Sequence, residues 1–217
     1  MAHESIVHYP NGAVKEKKFL VDGRLSGEYK TFFPSGQIMA HLHFLRGKRH
    51  GSAVSYYASG QIREKVQFVN DKMDGPYLSY HENGHVREEE HYVQGKLHGA
   101  YRRYYKSGEL REEEHFANGK FEGEYVCYYK SGQVKEKGGF KNDRRDGDYV
   151  CYFKNGQIKE KAAYKNGKLV GRFLSFTEDG ASLAEEVSDE EGSRRAWDEK
   201  EVAGLLHDLA HFDKKQK

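Results

Sequence analysis

Glycine recurs in this chain with a 24-residue period, and that period constrains the fold more than any other feature. Gly12, Gly36, Gly60, Gly84, Gly108, Gly132, Gly156 and Gly180 are each 24 apart, and so are Gly27, Gly51, Gly75, Gly99, Gly123, Gly147 and Gly171. A third series runs Gly23, Gly47, Asp71, Gly95, Gly119, Asp143 and Gly167, with Asp at two places because Asp also tolerates left-handed backbone. A fixed period of this length marks an array of supersecondary units, each covering its apolar side with its neighbours.

The runs between glycines are strand-sized. After Gly99 come AYRRYY, the turn KSG, the run ELREEEHF and the segment ANGKFEG, read as a second turn. Runs of about six and eight residues suit strands and are short for helices. Asn118-Gly119 and Asn166-Gly167 are hairpin signals, and Ser107-Gly108 and Asn155-Gly156 carry side chains that tighten a bend. Side chains alternate along a strand. Tyr101, Arg103 and Tyr105 therefore share one face, and Arg102 and Tyr104 the other. Tyr104 recurs as Phe32, Tyr56, Tyr80, Tyr128, Tyr152 and Phe176. By even spacing, Leu110 and Phe116 are expected on a common face.

The predicted fold is all-β: an elongated, solenoid-like antiparallel sheet of stacked 24-residue β-hairpins with a short C-terminal α-helix. About seven and a half units fill residues 1–182. An acidic linker is expected over 183–194. An amphipathic helix and tail are expected over 195–217, where Trp197, Val202, Leu205, Leu206, Leu209 and Phe212 follow helical spacing. That helix is read as a cap over the end of the array or as a docking element.

Composition agrees with a thin structure. Only 36% of residues are hydrophobic and 32% are charged, yet 13% are aromatic, too many for a disordered polar chain. The 36 basic and 34 acidic residues leave a net charge of +2, so nucleic acid is not an expected partner. The first residues, MAHESIVHYPNG, lack the basic and apolar regions of a signal peptide, and a cytoplasmic location is expected. Cys127 and Cys151 occupy equivalent repeat positions. Stacking would hold them roughly 9–10 Å apart, beyond the about 7 Å limit for a disulfide, so two free thiols are expected.

Charge is also periodic. Glu16, Glu64, Glu88, Glu112, Glu136 and Glu160 recur at one position, preceded by Lys15, Arg63, Arg87, Arg111, Lys135 and Lys159. Because neighbours in a strand point to opposite faces, an acidic stripe on one face and a basic stripe on the other are expected. Arg24, Lys48, Lys72, Lys96, Lys120, Arg144 and Lys168 form a further ladder in the turns. Sequence reasoning expects no cofactor, metal site or catalytic residues. His41 and His43 share a strand face, but His91 and His115 are repeat equivalents too far apart to share one zinc ion. No phosphate-binding GxxxxGKS loop, GxSxG elbow or HExxH helix is present.

Residues 92–110, YVQGKLHGAYRRYYKSGEL, resemble the MORN repeat, best at Gly95-Lys96-Leu97-His98-Gly99. Tyr77, Tyr101, Tyr125 and Tyr149 stand where that family has a second glycine, and the period is slightly long. Those departures resemble the bacterial MORN-variant repeat, typical of YwqK-family antitoxins, over about residues 5–180. The resemblance implies a non-enzymatic antitoxin or immunity protein that neutralises a toxin or effector by binding it. Tyr57, Tyr105, Tyr129, Arg87 and Arg111 are the expected contact residues. The alternative is a MORN-type scaffold, or a membrane-associated protein binding acidic lipid head groups through the basic turn ladder.

Overall fold

The computed structural model describes residues 1–188 and 194–195. The chain divides into two units, Met1–Gly132 and Gln133–Lys217. The first holds β1 (Ala2–His8), β2 (Val14–Val21), β3 (Arg24–Phe32), β4 (Ile38–Leu45), β5 (Lys48–Arg49), β6 (Gly51–Tyr56) and β7 (Ile62–Val69). It continues with β8 (Lys72–Tyr80), β9 (Val86–Val93), β10 (Lys96–Leu97), β11 (Gly99–Tyr104), β12 (Leu110–Ala117), β13 (Lys120–Phe121) and β14 (Gly123–Tyr128). These strands follow one another as an antiparallel meander; where a strand is interrupted, as at β5 and β6, both pieces pair with β4.

Two kinds of turn alternate along the chain. The Asn118-Gly119 turn has φ of 54° and 81°, the doubly left-handed geometry of a two-residue type I′ hairpin, whose twist matches that of the flanking strands. Asp71 and Asp143 take the glycine place in two such turns with φ of 69° and 66°. The other turn is three residues long: Gly60 N–H donates to Tyr57 O at 2.9 Å, and Tyr57 N–H to Gln61 O at 2.8 Å. The remaining glycine series does not form turns. Gly75, with φ of 117°, sits inside β8 at a bulge, where Val66 pairs with Tyr77 and Phe68 with Met73. The ANGKFEG segment likewise turns only at Asn118-Gly119, and pairing resumes at once between Ala117 and Lys120.

A second bulge corrects two expectations. In β12, Glu112 pairs with Arg103 but Leu110 pairs with Tyr104, leaving Arg111 as an extra residue. An inserted residue reverses the alternation beyond it. Leu110 therefore lies on the Tyr104 face and Phe116 on the Tyr101 face, not together. The same insertion brings the basic residue onto the face of its acidic neighbour. Arg87 Nη2 lies 3.3 Å from Glu88 Oε2, Arg111 Nη2 3.6 Å from Glu112 Oε2, and Arg63 Nε 3.8 Å from Glu64 Oε1. Over these three repeats the acidic and basic stripes are thus one paired row.

The face carrying Tyr101 is the packed one. In the first unit its buried members include Ala53, Phe68, Tyr101, Cys127, Ser79 and Glu112. Edge-to-face ring pairs recur on it: Tyr29 with Phe44 at 5.8 Å, Tyr77 with Tyr92 at 6.5 Å and Tyr101 with Phe116 at 6.0 Å. Each such pair stabilises by about 0.5–1.5 kcal/mol beyond its buried area. Ala53 breaks the series, and there the Arg49 guanidinium covers the Phe68 ring at 4.3 Å.

The second unit contains β15 (Val134–Lys141), β16 (Arg144–Tyr152), β17 (Ile158–Lys165), β18 (Lys168–Phe176), β19 (Ser182–Ser188) and β20 (Arg194–Arg195). Tyr149, Cys151 and Ala162 form its core, with Tyr164, Leu169 and Phe173 packed against them. Cys127 and Cys151 are both buried and neither is in a disulfide among the described residues. Residues 182–188, mostly assigned to the linker by their acidic composition, pair along β18 from Gly171 to Phe176. Backbone pairing along an open strand edge satisfies main-chain groups whatever the side-chain charge. The helix expected after residue 195 lies outside the described residues; Arg195 itself pairs with Val187 in β20.

Candidate functional site

Two surfaces of the first unit differ from generic sheet. The first is the paired row on the packed face. One column of the repeat reads Thr31, Ser55, Ser79, Arg103 and Cys127. Arg103 is its only charged member, and it joins glutamates from two successive repeats: its Nη1 lies 2.7 Å from Glu112 Oε1 and its Nε 3.5 Å from Glu88 Oε1. Ser79 is fully buried and donates to Glu88 Oε2 at 3.0 Å. One step along the strands, burial raises the carboxyl pKa of Glu90, and burial together with the Glu112 charge raises that of Glu114. Burial likewise pushes the Tyr101 phenol up to about 12.

The second surface runs along the type I′ turns on the opposite face. Val21 pairs with Arg24, Leu45 with Lys48, Val69 with Lys72, Val93 with Lys96 and Ala117 with Lys120. The four large aliphatic residues are 38%, 46%, 38% and 41% exposed, and every cation in the series is exposed. Three of the cations pack their stems against the next turn: Arg24 Cβ lies 3.9 Å from the position of a Cβ on Gly47, Lys72 Cβ 3.6 Å from one on Gly95 and Lys96 Cβ 3.7 Å from one on Gly119. A long side chain anchored by its stem keeps its charged head in water. The result is an edge of alternating exposed aliphatics and fixed positive charges. The basic turn ladder was legible in the sequence. The aliphatic partners were not singled out, although Val21, Leu45, Val69 and Val93 also repeat every 24 residues.

The five expected contact residues divide into two groups. Tyr57, Tyr105 and Tyr129 occupy equivalent places at the three-residue turns, and Gly60, Gly108 and Gly132 each donate to the carbonyl of their tyrosine. The hydroxyls of Tyr57 and Tyr105 donate to the main-chain carbonyls of Tyr80 and Tyr128 at 2.7 and 2.8 Å, so both rings clasp the following repeat. Arg87 and Arg111 lie in the paired row, and Arg87 Nε also donates to Ser79 Oγ at 3.2 Å. Their side chains are 41% and 46% exposed.

Sequence reasoning singled out His41 and His43 on one strand face but not the carboxylate beside them. Glu28 pairs across strands with His43 and Lys30 with His41. The donor atoms of Glu28, His41 and His43 lie within 4.8 Å of one another. Burial and the Lys30 charge lower the His41 pKa, favouring the neutral ring. The available signal was Glu28, placed opposite His43 by the hairpin between them.

The fold defines a class: a β-hairpin repeat protein whose surface carries rows of exposed aliphatics, cations and ion pairs. The model of the MORN repeat variant matches six segments, 25–45, 49–70, 73–94, 97–118, 121–142 and 145–166. These cover more than half of the chain, which belongs to the MORN repeat variant family. Proteins of MORN repeats are generally non-catalytic, protein-binding scaffolds. No match is found among curated proteins. Among solved structures, the chain is similar to the crystal structure of TcdB2-TccC3-TEV, at 11% identity and a TM-score of 0.24, over 90% of this chain and 15% of that one. It is also similar to a protein of unknown function from Bacteroides fragilis NCTC 9343, at 8% identity and a TM-score of 0.12, over 86% of this chain and 91% of that one. The chain thus spans about 15% of the length of the first of these, and likenesses at such scores carry no functional argument.

Proposed function

We propose that this protein is a non-catalytic scaffold that binds and neutralises a partner toxin or effector, meeting it in the cytoplasm. The toxin-neutralising part of this reading comes from the resemblance to YwqK-family antitoxins. The binding part is supported by the edge on which Val21, Leu45, Val69 and Val93 alternate with Arg24, Lys48, Lys72 and Lys96. Exposed aliphatics at a regular spacing supply apolar contact area, and the anchored cations select an acidic partner and speed its approach. Arg87 and Arg111, half-exposed on the other face, are the side chains we assign to partner contact there, with Tyr57, Tyr105 and Tyr129 shaping the turn edge beside them.

The test is co-expression with proteins encoded beside this one. Restored growth in the presence of a toxic neighbour, lost when Lys48, Lys72 and Lys96 are all changed to Glu, is expected. Continued toxicity with every neighbour would overturn the neutralising role.

The same alternation of cations and aliphatics favours one second reading, a scaffold resting on acidic lipid head groups. Each basic residue near an anionic surface contributes about 1 kcal/mol. Co-sedimentation with phosphatidylserine vesicles that falls to background in 0.5 M salt, on the order of a threefold shorter Debye length than at 0.05 M, would support it. Background sedimentation at low salt would remove it.

A further inference from the structure

The geometry points to a divalent metal site formed by Glu28, His41 and His43, suited to a zinc-like ion. The three residues stand on neighbouring strands β3 and β4, on the face away from the aromatic core. Glu28 is directly opposite His43, and His41 follows two residues before it on the same side. Their donor atoms lie within 4.8 Å of one another. Ligands around a tetrahedral zinc are about 3.4 Å apart, from bond lengths of about 2.1 Å. A side-chain adjustment on the order of 1 Å therefore brings three donors onto one ion and leaves a fourth position for water.

The two imidazoles are prepared differently. His43 Nδ1 lies 3.0 Å from Ser52 O. A carbonyl accepts only, so Nδ1 carries the proton and Nε2 is left with its lone pair free to coordinate. A ring nitrogen tied to a backbone carbonyl is the usual support of a metal-binding histidine. His41 Nε2 is buried and makes no hydrogen bond among the described residues, lying 3.4 Å from Glu28 Oε1. A buried nitrogen held beside a carboxylate without a hydrogen bond calls for an explanation. Coordination supplies one, and it accounts for the neighbouring carboxylate as well.

Comparison with other repeats separates the site from the array. His115 stands at the position of His43 and its Nδ1 similarly approaches Glu124 O at 3.3 Å, so that histidine has a packing role shared between repeats. His41 is different. Its equivalents are Lys17, Lys65, Glu89, Glu113, Lys137 and Lys161, and only this repeat places a second imidazole beside the first. The rings of His41 and His43 are 4.8 Å apart.

Lys30 is the competitor. Its ammonium lies 2.6 Å from Glu28 Oε2 and occupies the carboxylate when no metal is present. Imidazole and carboxylate together suit zinc better than calcium or magnesium, which favour oxygen-only shells. Glu28 is open to solvent, which gives an ion a route in.

The test is calorimetric titration of the untagged full-length protein with zinc chloride, since a tag would add histidines to the twelve already present. One zinc per chain is expected. His41→Ala should weaken it by at least about tenfold, and Glu28→Gln by about tenfold, the range seen when metal-site partners are lost. Lys30→Gln should bind as tightly as wild type or more tightly, because it removes the competing cation. His91→Ala and His115→Ala should leave binding unchanged. Cobalt(II) gives a second readout: visible bands of a four-coordinate site in wild type, absent in His41→Ala. Absence of zinc binding by wild type, or binding that survives His41→Ala at full strength, would overturn the site.

Discussion

The Tyr57 hydroxyl donates to the Tyr80 carbonyl at 2.7 Å, tying a turn of one repeat to a strand of the next. Tyr9 reaches Phe32 O and Tyr105 reaches Tyr128 O in the same way, each at 2.8 Å. His81 places Nε2 3.3 Å from Tyr104 O, and Phe33 and Phe153 hold equivalent positions with no hydroxyl. The clasp is therefore a stabilising addition to a turn that forms without it. Tyr57→Phe and Tyr105→Phe are each expected to lose about 1 kcal/mol, a typical net hydrogen bond. The two sites are four strands apart, about 19 Å, so the losses should add. Urea denaturation of both single variants and the double variant measures this.

Arg103 joins Glu88 and Glu112, and Glu112 is almost fully buried. Arg103→Ser restores the residue type of the two preceding repeats but removes the cation shared by two carboxylates, leaving Glu88 with Ser79 and Arg87 and Glu112 with Arg111. A loss of about 2 kcal/mol is expected, below the about 3–5 kcal/mol of a fully buried pair because Arg103 is 40% exposed. Adding Glu112→Gln to Arg103→Ser should recover part of the loss, and a double-mutant cycle from thermal denaturation reads the coupling.

Gly139 lies in β15, where a Cβ would overlap the Asp146 carbonyl oxygen. Backbone on both sides cannot give way cheaply. Gly139→Ala should destabilise the second unit by about 1–3 kcal/mol, with Gly156→Ala, whose turn is open to solvent, as the comparison for left-handed strain alone. Hydrogen exchange of residues 134–176 in the two variants distinguishes the causes.

Glu114 has a raised pKa in the folded protein, from burial and the neighbouring Glu112 charge. A group whose folded pKa is raised favours folding when protonated. Its contribution is complete below the unfolded value, about 4.3, and is lost as pH rises through the folded value. Glu114→Gln should therefore raise the melting temperature at pH 7, and the gain should vanish as pH falls below about 4.3. Melting curves from pH 4 to pH 8 check the sign.

Much of the fold was legible in the sequence because its period is carried by turn glycines, whose left-handed φ no ordinary residue replaces cheaply. The Asn118-Gly119 hairpin and the strand lengths around it follow directly. Strand faces were harder. Alternation is a parity argument, and a single bulge at Arg111 inverts it for Leu110 while leaving the glycine spacing untouched. The same bulge turned two supposed stripes into one row of pairs. Tyr57 and Tyr105 stood out as repeating aromatics and expected contact residues, but hydroxyl partners 23 residues away depend on stacking that composition does not reveal. The carboxylate of the Glu28, His41 and His43 cluster was missed because it comes from the neighbouring strand, visible only once the register is known.

The most direct test of the binding account is a pull-down from the native host with the full chain as bait, beside a variant carrying Lys48→Glu, Lys72→Glu and Lys96→Glu. The account predicts one stoichiometric protein partner on the wild type, lost from the variant while its circular dichroism spectrum is unchanged. Equal recovery of that partner by both baits, or no protein partner on either, would contradict it.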